Sequence, residues 1–323
     1  MGLIMFRKPV FLLSLLFVLS STAYAWDLGK AGSYQFEQVN KNVYVMHGPL
    51  GEPSAANHGF MNNPGIIVSD NGLIVVDPGG TYQVGQQVLK EIEKISDKPI
   101  LAVFNSHIHG DHWLANQAVK EKYPKAAMYG HPDMIKQANG DHGITWVDMM
   151  MRLTEGKSKG TKIVAPDLAV NHSDAIEVDG QHFRIHAIVP AHTNTDIMIE
   201  HLESKTLFLG DNSFYHRMGR FDGSASMHGN IKALEHAREM NMTLYVPGHG
   251  QSGKTETAIK PFYDYLVKVR DVVQDGFDNE MQDFEIKEKV IGQFDDYKSW
   301  EGFETNFGKH INSMYLEIEK LAW

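Results

Sequence analysis

Residues 105–112 read Asn-Ser-His-Ile-His-Gly-Asp-His, directly after an apolar run, Ile100–Phe104. His107 and His109 are two apart, so on extended chain their side chains point the same way. Gly110 is expected to turn the chain sharply, after which Asp111 and His112 face back toward the same point. Four ligand-type side chains within six residues can surround a metal ion. Packed this closely without one, the imidazoles would each need a separate polar partner. Three more residues stand at the ends of apolar runs: His192 after Val189-Pro190-Ala191, Asp211 after Leu207–Gly210, and His249 within Val246-Pro247-Gly248-His249-Gly250. Each alone is an ordinary loop residue. Together they sit where the loops at one end of a layered fold converge. The 323 residues include 17 His and no Cys, which excludes disulfides, thiolate ligands, Fe–S clusters and a cysteine nucleophile.

The surrounding pattern supplies elements to hold these residues. Phe36–Val39 and Val43–His47 read as a first strand pair. Ile66–Val68 and Leu73–Val76 flank Ser69-Asp70-Asn71-Gly72, a hairpin with an Asn-Gly turn. Val84, Val88, Leu89, Ile92 and Ile95 have helical spacing, and Trp113–Tyr123 is also read as helix. Ile100–Phe104 and Ala126–Tyr129 are continuous apolar runs, hence buried strands. The second half repeats the plan. Ala175–Val178 pairs with Phe183–Val189, Asp196–His201 with Thr206–Leu209, and the helix His228–Met240 precedes a last strand, Leu244–Val246. Two such halves predict two sheets packed face to face with helices outside. Residues 131–161 interrupt this plan with Trp146, Met149, Met150, Met151 and Leu153, and read equally as a lid or as a helix packed on the core. From Thr255 onward the pattern is helical and highly charged.

Arg7 and Lys8, the apolar run Val10–Ser20 and Ala23-Tyr24-Ala25 form the three parts of a secretory signal peptide over residues 1–25. The apolar run is about half the ~20 residues that span a bilayer. A mature chain beginning at Trp26, without a stable membrane anchor, is therefore expected in the periplasm. The whole chain carries a net charge of −10 and an apolar fraction of 42%, which fits a folded chain with a real core. Removing Arg7 and Lys8 leaves 28 basic and 40 acidic residues, a charge of −12. With no basic run near the histidines, nucleic acid is an unfavourable partner and a small molecule the expected one. Nothing in the sequence fixes an oligomeric state.

The ordered set His107-x-His109-x-Asp111-His112, His192, Asp211, His249 resembles the metallo-β-lactamase-fold hydrolases, a superfamily that includes glyoxalase II, class B β-lactamases, lactonases, ribonucleases and sulfatases. The likeness runs from about Val43 to Gly250. It implies an α/β chain with a four-layer αββα sandwich over residues 26–254 and a helical C-terminal extension over 255–323. It further implies that His107, His109 and His192 bind one metal, that Asp111, His112 and His249 bind a second, and that Asp211 bridges them. Asp77 matches an acidic residue that supports the site. Asp111 and His112 are the candidate catalytic residues, and His216 a candidate for touching substrate.

Five imidazoles and two carboxylates suit Zn²⁺, two per chain. A glutamate in place of His109 would instead imply a di-iron redox site. The implied function is an exported binuclear zinc hydrolase that cleaves an ester, thioester, lactone or amide bond with a hydroxide held between the ions. Two alternatives are a class B β-lactamase and a metal-binding accessory protein of an exported enzyme system with little turnover. Thiol-site β-lactamases have a Cys at the position of Asp211 and a Lys three residues on. Here Phe214 stands there, so the soft ligand and the cation are both absent, and Ser213 is the residue that could stand in.

Overall fold

A computed structural model describes residues 1–2 and 34–322. The signal-peptide reading of residues 1–25 lies almost wholly outside the described residues. Among the described residues, no helix is long and apolar enough to cross a membrane.

Seven strands form the first sheet, in spatial order β1 (Glu37–Asn40), β2 (Val43–Val45), β3 (Gly65–Val68), β4 (Leu73–Val76), β5 (Ile100–Phe104), β6 (Ala127–Gly130) and β7 (Leu168–Ala169). The first four pair antiparallel and β4 through β7 pair parallel. Five strands form the second sheet: β8 (Ala175–Val178), β9 (Gln181–His186), β10 (Met198–His201), β11 (Thr206–Phe214) and β12 (Leu244–His249), ordered β12-β11-β10-β9-β8. The helices are α1 (Tyr82–Ile92), α2 (Gly110–Trp113), α3 (Asn116–Lys122), α4 (Pro132–Ala138), α5 (Asp141–Leu153), α6 (Met227–Glu239), α7 (Thr255–Ala258), α8 (Lys260–Asp278), α9 (Asp283–Val290) and α10 (Phe303–Ala322).

Strand alternation builds the layers, because successive side chains face opposite sides of a sheet. Ile67, Ile74, Val76, Ala102 and Phe104 of the first sheet meet Phe183, Ile185, Ile199, Phe208 and Val246 of the second in a buried inter-sheet core. Their neighbours Ile66, Leu73, Val75 and Val103 face outward under Val84, Val88 and Ile92 of α1 and Val119 of α3. On the other side Met198, Leu207, Leu209 and Tyr245 lie under α6, α8 and α10. The order is helices, sheet, sheet, helices, the predicted αββα sandwich. β4 is buried on both faces, the reason its sequence is a run of apolar residues without alternation.

The helices after residue 254 share one core with the second sheet. Phe262, Leu266, Val269, Phe307, Ile311 and Met314 pack with Leu209, Phe214, Ile231 and Leu234. Two local readings change. The predicted single helix Trp113–Tyr123 is two, α2 and α3, and the first begins at Gly110, immediately after His109. β11 runs on to Phe214 rather than ending at Leu209.

Candidate metal centre

The candidate ligands converge at one end of the sandwich. His107 and His109 follow β5, and Asp111 and His112 lie in α2. His192 is in the loop after β9, Asp211 is within β11, and His249 is the last residue of β12. All seven are buried. Asp111 and His112 face the others because α2 coils back, not because Gly110 makes a sharp turn. A Cβ at Gly110 would lie 2.9 Å from Leu114 and from Trp146, so this glycine serves close packing. Asp211 has its own glycine requirements. Gly210 has φ +53, and a Cβ at Gly248 would fall 1.9 Å from Asp211 Oδ1.

The donor atoms form two groups that could each hold an ion: His107, His109, His192 and Asp211, and Asp111, His112 and His249. Asp211 spans both. Its Oδ2 lies 3.7 Å from His107 Nε2 and 3.4 Å from His192 Nε2. Its Oδ1 lies 3.2 Å from His112 Nε2 and 3.4 Å from His249 Nε2. Asp111 Oδ2 is 3.3 Å from His112 Nε2 and 3.2 Å from His249 Nε2. His107 Nε2, His112 Nε2 and Asp211 Oδ1 are buried without a hydrogen-bond partner. Such atoms are costly to leave unpaired, so the donor set fits a pair of cations at its centre.

The outer nitrogens of the rings are fixed by neighbours, which selects the nitrogen that faces inward. Asp77 Oδ2 lies 2.8 Å from His112 Nδ1, and Ser106 donates to both Asp77 oxygens, from N at 2.8 Å and from Oγ at 2.6 Å. His249 Nδ1 is 2.8 Å from the Met61 carbonyl. His109 is turned the other way: Nε2 faces Asp222 Oδ2 at 3.3 Å and Nδ1 faces His192 Nε2 at 3.0 Å. Asp77 holds φ +49, a left-handed backbone rare for a residue with a side chain, and Asn62 donates to its carbonyl at 2.8 Å.

Burial sets the ionisation. It pushes His107 well below the usual imidazole range and His192 down to about 3, so both are neutral and able to ligate. Burial alone would raise Asp111 and Asp211, but the close approach of the His112 and His249 rings holds both carboxyls well below the ordinary value. Nearby, burial lifts Asp196 to about 7.

A pocket opens above the donors. Its floor is His109, Asp111, His192, Asp211 and His249. One wall is apolar, built from Met61, Pro53, Phe214 and four residues of α5: Trp146, Met149, Met150 and Leu153. The Trp146 ring lies 5.0 Å from the His109 ring. Opposite stand Glu52, Arg217, Gly219 and Arg220. Arg217 is buried. It donates to the Leu50 carbonyl and meets Glu52 Oε1 at 3.0 Å, and its Nε has no partner. Arg220 meets Glu52 Oε2 at 3.0 Å.

The structure does not bring His216 into this pocket. It is exposed with φ +53, and its ring stacks on Tyr215 and Trp300 at 4.2 and 5.7 Å. The next residue, Arg217, lines the pocket instead. Ser213 also faces elsewhere, donating to the Ala258 carbonyl at 2.5 Å. Two cationic side chains do line the pocket, those of Arg217 and Arg220. Neither arginine nor Asp222 stands out in the sequence, because no spacing rule links them to the histidines.

The sequence model of the metallo-beta-lactamase superfamily matches residues 59–249, more than half of the chain and every donor described above. The chain belongs to the metallo-β-lactamase superfamily. Its named relatives are hydrolases. A probable metallo-hydrolase of Methanocaldococcus jannaschii is 26% identical over 204 residues, 61% of this chain and 91% of the relative. A hydroxyacylglutathione hydrolase of Synechococcus sp. is 28% identical over 167 residues, 51% of this chain and 54% of that protein. Among solved structures, a sec-alkylsulfatase from Pseudomonas sp. superposes with TM-score 0.67 at 15% identity, covering 88% of this chain and 50% of that one. A metallo-β-lactamase from Pontibacter korlensis gives 0.56 at 15% identity, covering 72% and 98%. The chain thus spans about half the length of the hydroxyacylglutathione hydrolase and of the sulfatase, and the structural likenesses are ones of fold.

Proposed function

We propose that this chain is an exported binuclear zinc hydrolase that cleaves an ester, thioester or lactone bond in a small molecule carrying both an apolar part and an anionic group. The observation that carries the reading is Asp211, buried with one oxygen toward each group of donors beneath an open pocket. Five imidazoles and two carboxylates, with no soft ligand, favour zinc. When bound, the two ions supply a Lewis acid and a water acidified toward neutral pH.

The chain's own residues then divide the work. His107, His109, His192 and Asp211 hold one ion, and Asp111, His112 and His249 with Asp211 hold the other. Trp146, Met149 and Leu153 receive the apolar part and exclude water from the floor. Arg217 and Arg220, shared with the single carboxylate of Glu52, leave excess positive charge to orient an anionic group. A pocket walled by apolar residues of α5 and by two arginines suits a small molecule rather than nucleic acid. The residue 1–25 pattern supports export to the periplasm, tested by amino-terminal sequencing, with Trp26 the expected first residue.

A class B β-lactamase is the second reading, favoured by the guanidinium groups in the pocket, which could take a β-lactam carboxylate. Against it, Asp211 is not a thiol and Ser213 faces away. The test is elemental analysis followed by a panel of esters, thioesters, lactones, alkyl sulfates and β-lactams. Two zinc ions per chain are expected, with ester-type cleavage exceeding nitrocefin cleavage in kcat/KM by at least ~10²-fold. Efficient carbapenem hydrolysis would overturn the preference. A two-zinc protein with no turnover on the whole panel would favour the accessory-protein alternative.

A further inference from the structure

Three other histidines meet on the outer face of the second sheet, away from the pocket. His186 ends β9 with its side chain on the face opposite Ile185, toward the helices. His236 comes down from α6, and its Nε2 lies 3.0 Å from His186 Nδ1. His172 is exposed in the loop between β7 and β8, its ring centroid 6.1 Å from that of His186 and 6.2 Å from that of His236. That loop is fixed against β9 by two backbone bonds: Ser173 N donates to Ile185 O at 2.8 Å, and Ile185 N to Asp174 O at 3.0 Å.

The pair at the centre repeats an arrangement found in the metal centre. There, His109 turns Nε2 to Asp222 and Nδ1 to His192 Nε2 at 3.0 Å. Here, His186 turns Nε2 to Glu200 Oε2 at 2.9 Å and Nδ1 to His236 Nε2 at 3.0 Å. A carboxylate on one ring nitrogen fixes the tautomer and leaves a lone pair on the other, aimed at the neighbouring imidazole. The ring separations also match in part. His107, His109 and His192 are spaced at 4.7 to 5.0 Å, and His186 and His236 at 5.0 Å. His172 stands about an ångström further out, on an exposed side chain.

We propose that His172, His186 and His236 form a third metal site, for a divalent transition ion of the zinc class, with Glu200 fixing the His186 ring. Three neutral imidazoles suit such an ion and leave a position for water. The ion would tie the His172 loop and β9 to α6, so its role is to brace the hairpin that leads into the His192 loop. It does not rest on the hydrolase reading.

The test is calorimetric titration with Zn²⁺ of protein already carrying its tightly held ions, with imidazole ¹⁵N NMR to identify ligands. Wild type should take up one further equivalent, with shifts at His172, His186 and His236, and a higher thermal midpoint. His236→Gln should lose that equivalent while keeping the others. His172→Gln, at an exposed position where misfolding is not at issue, should weaken it at least ~10-fold, no less than the loss of a residue that only orients a ligand. No added equivalent in wild type, the same affinity in both variants, or an added equivalent without those shifts would each overturn the site. A wild type that binds a single ion, lost in His236→Gln, would uphold it while refuting the binuclear centre.

Discussion

At the scale of single residues, the structure separates ligands from their supports. His107→Ala and Asp111→Ala each remove a donor with nothing nearby to replace it, and kcat/KM should fall by about 10³-fold or more in both, since nucleophile and Lewis acid go together. His216→Ala should change neither kcat nor KM, because the ring faces Tyr215 and Trp300 rather than the pocket. Equal small losses in all three would refute the assignment. Asp77→Asn keeps the shape beside His112 but removes the charge that fixes its ring. Zinc affinity should drop by about 10–100-fold, as for other supporting carboxylates, measured by competition with a chelator. The donors of residues 107–112 were legible because their spacing is a local property of the chain, whereas His192, Asp211 and His249 joined them through the family likeness. Arg217, Arg220 and Asp222 were not legible, since a loop decides where they point.

At the scale of elements, the C-terminal helices shape the pocket wall. Met218 N donates to Glu301 O at 2.8 Å and Glu301 N to His216 O at 3.0 Å, so the chain before α10 lies along the arginine loop. His310 of α10 fastens the same loop: Nε2 donates to the Gly219 carbonyl at 2.9 Å, and Nδ1 accepts from Tyr265 Oη at 2.7 Å. Burial lowers His310 to about 4, against about 6.5 in an unfolded chain. Its folded pKa is therefore depressed. The unfolded state takes up the proton first, and the stability is present above pH 6.5 and lost as pH falls toward 4, by about 3 kcal/mol in full. His310→Gln should lose less stability than wild type between pH 7 and 4.5 in denaturant titrations. Parallel curves would exclude the effect. Arg220, at the pocket rim with its side chain half exposed, offers a cleaner test of substrate charge. Arg220→Gln should raise KM for an anionic ester about 10-fold, one charged hydrogen bond, and leave a neutral ester unchanged. These links could not be read from sequence, because each one to the arginine loop joins segments about 80 to 90 residues apart through one side chain or one backbone pair.

At the scale of the molecule, the sandwich was legible from alternation and from buried strands such as Ile100–Phe104, whose bounds are those of β5. What periodicity could not give is the partner of each amphipathic face. The helices beyond residue 254 showed apolar stripes with no indication of what they cover. They cover the second sheet: Phe262 packs on Phe214 with ring centroids 5.0 Å apart, three residues from Asp211 on one side and three from Arg217 on the other. Glu317 of α10 also caps α6, accepting from Met227 N at 2.6 Å, His228 N at 3.1 Å and Ser226 Oγ at 2.9 Å. A helix layer that completes a core and caps its neighbour has no independent stability to speak of, and neither has the sheet it covers. Calorimetry of the whole chain should therefore show one cooperative transition. A chain ending at residue 254 should leave Leu207, Leu209, Phe214 and Tyr245 facing water, fail to give a sharp unfolding transition and bind hydrophobic dye. Two resolved transitions, or a folded two-metal protein from the shortened chain, would show that residues 34–254 stand alone.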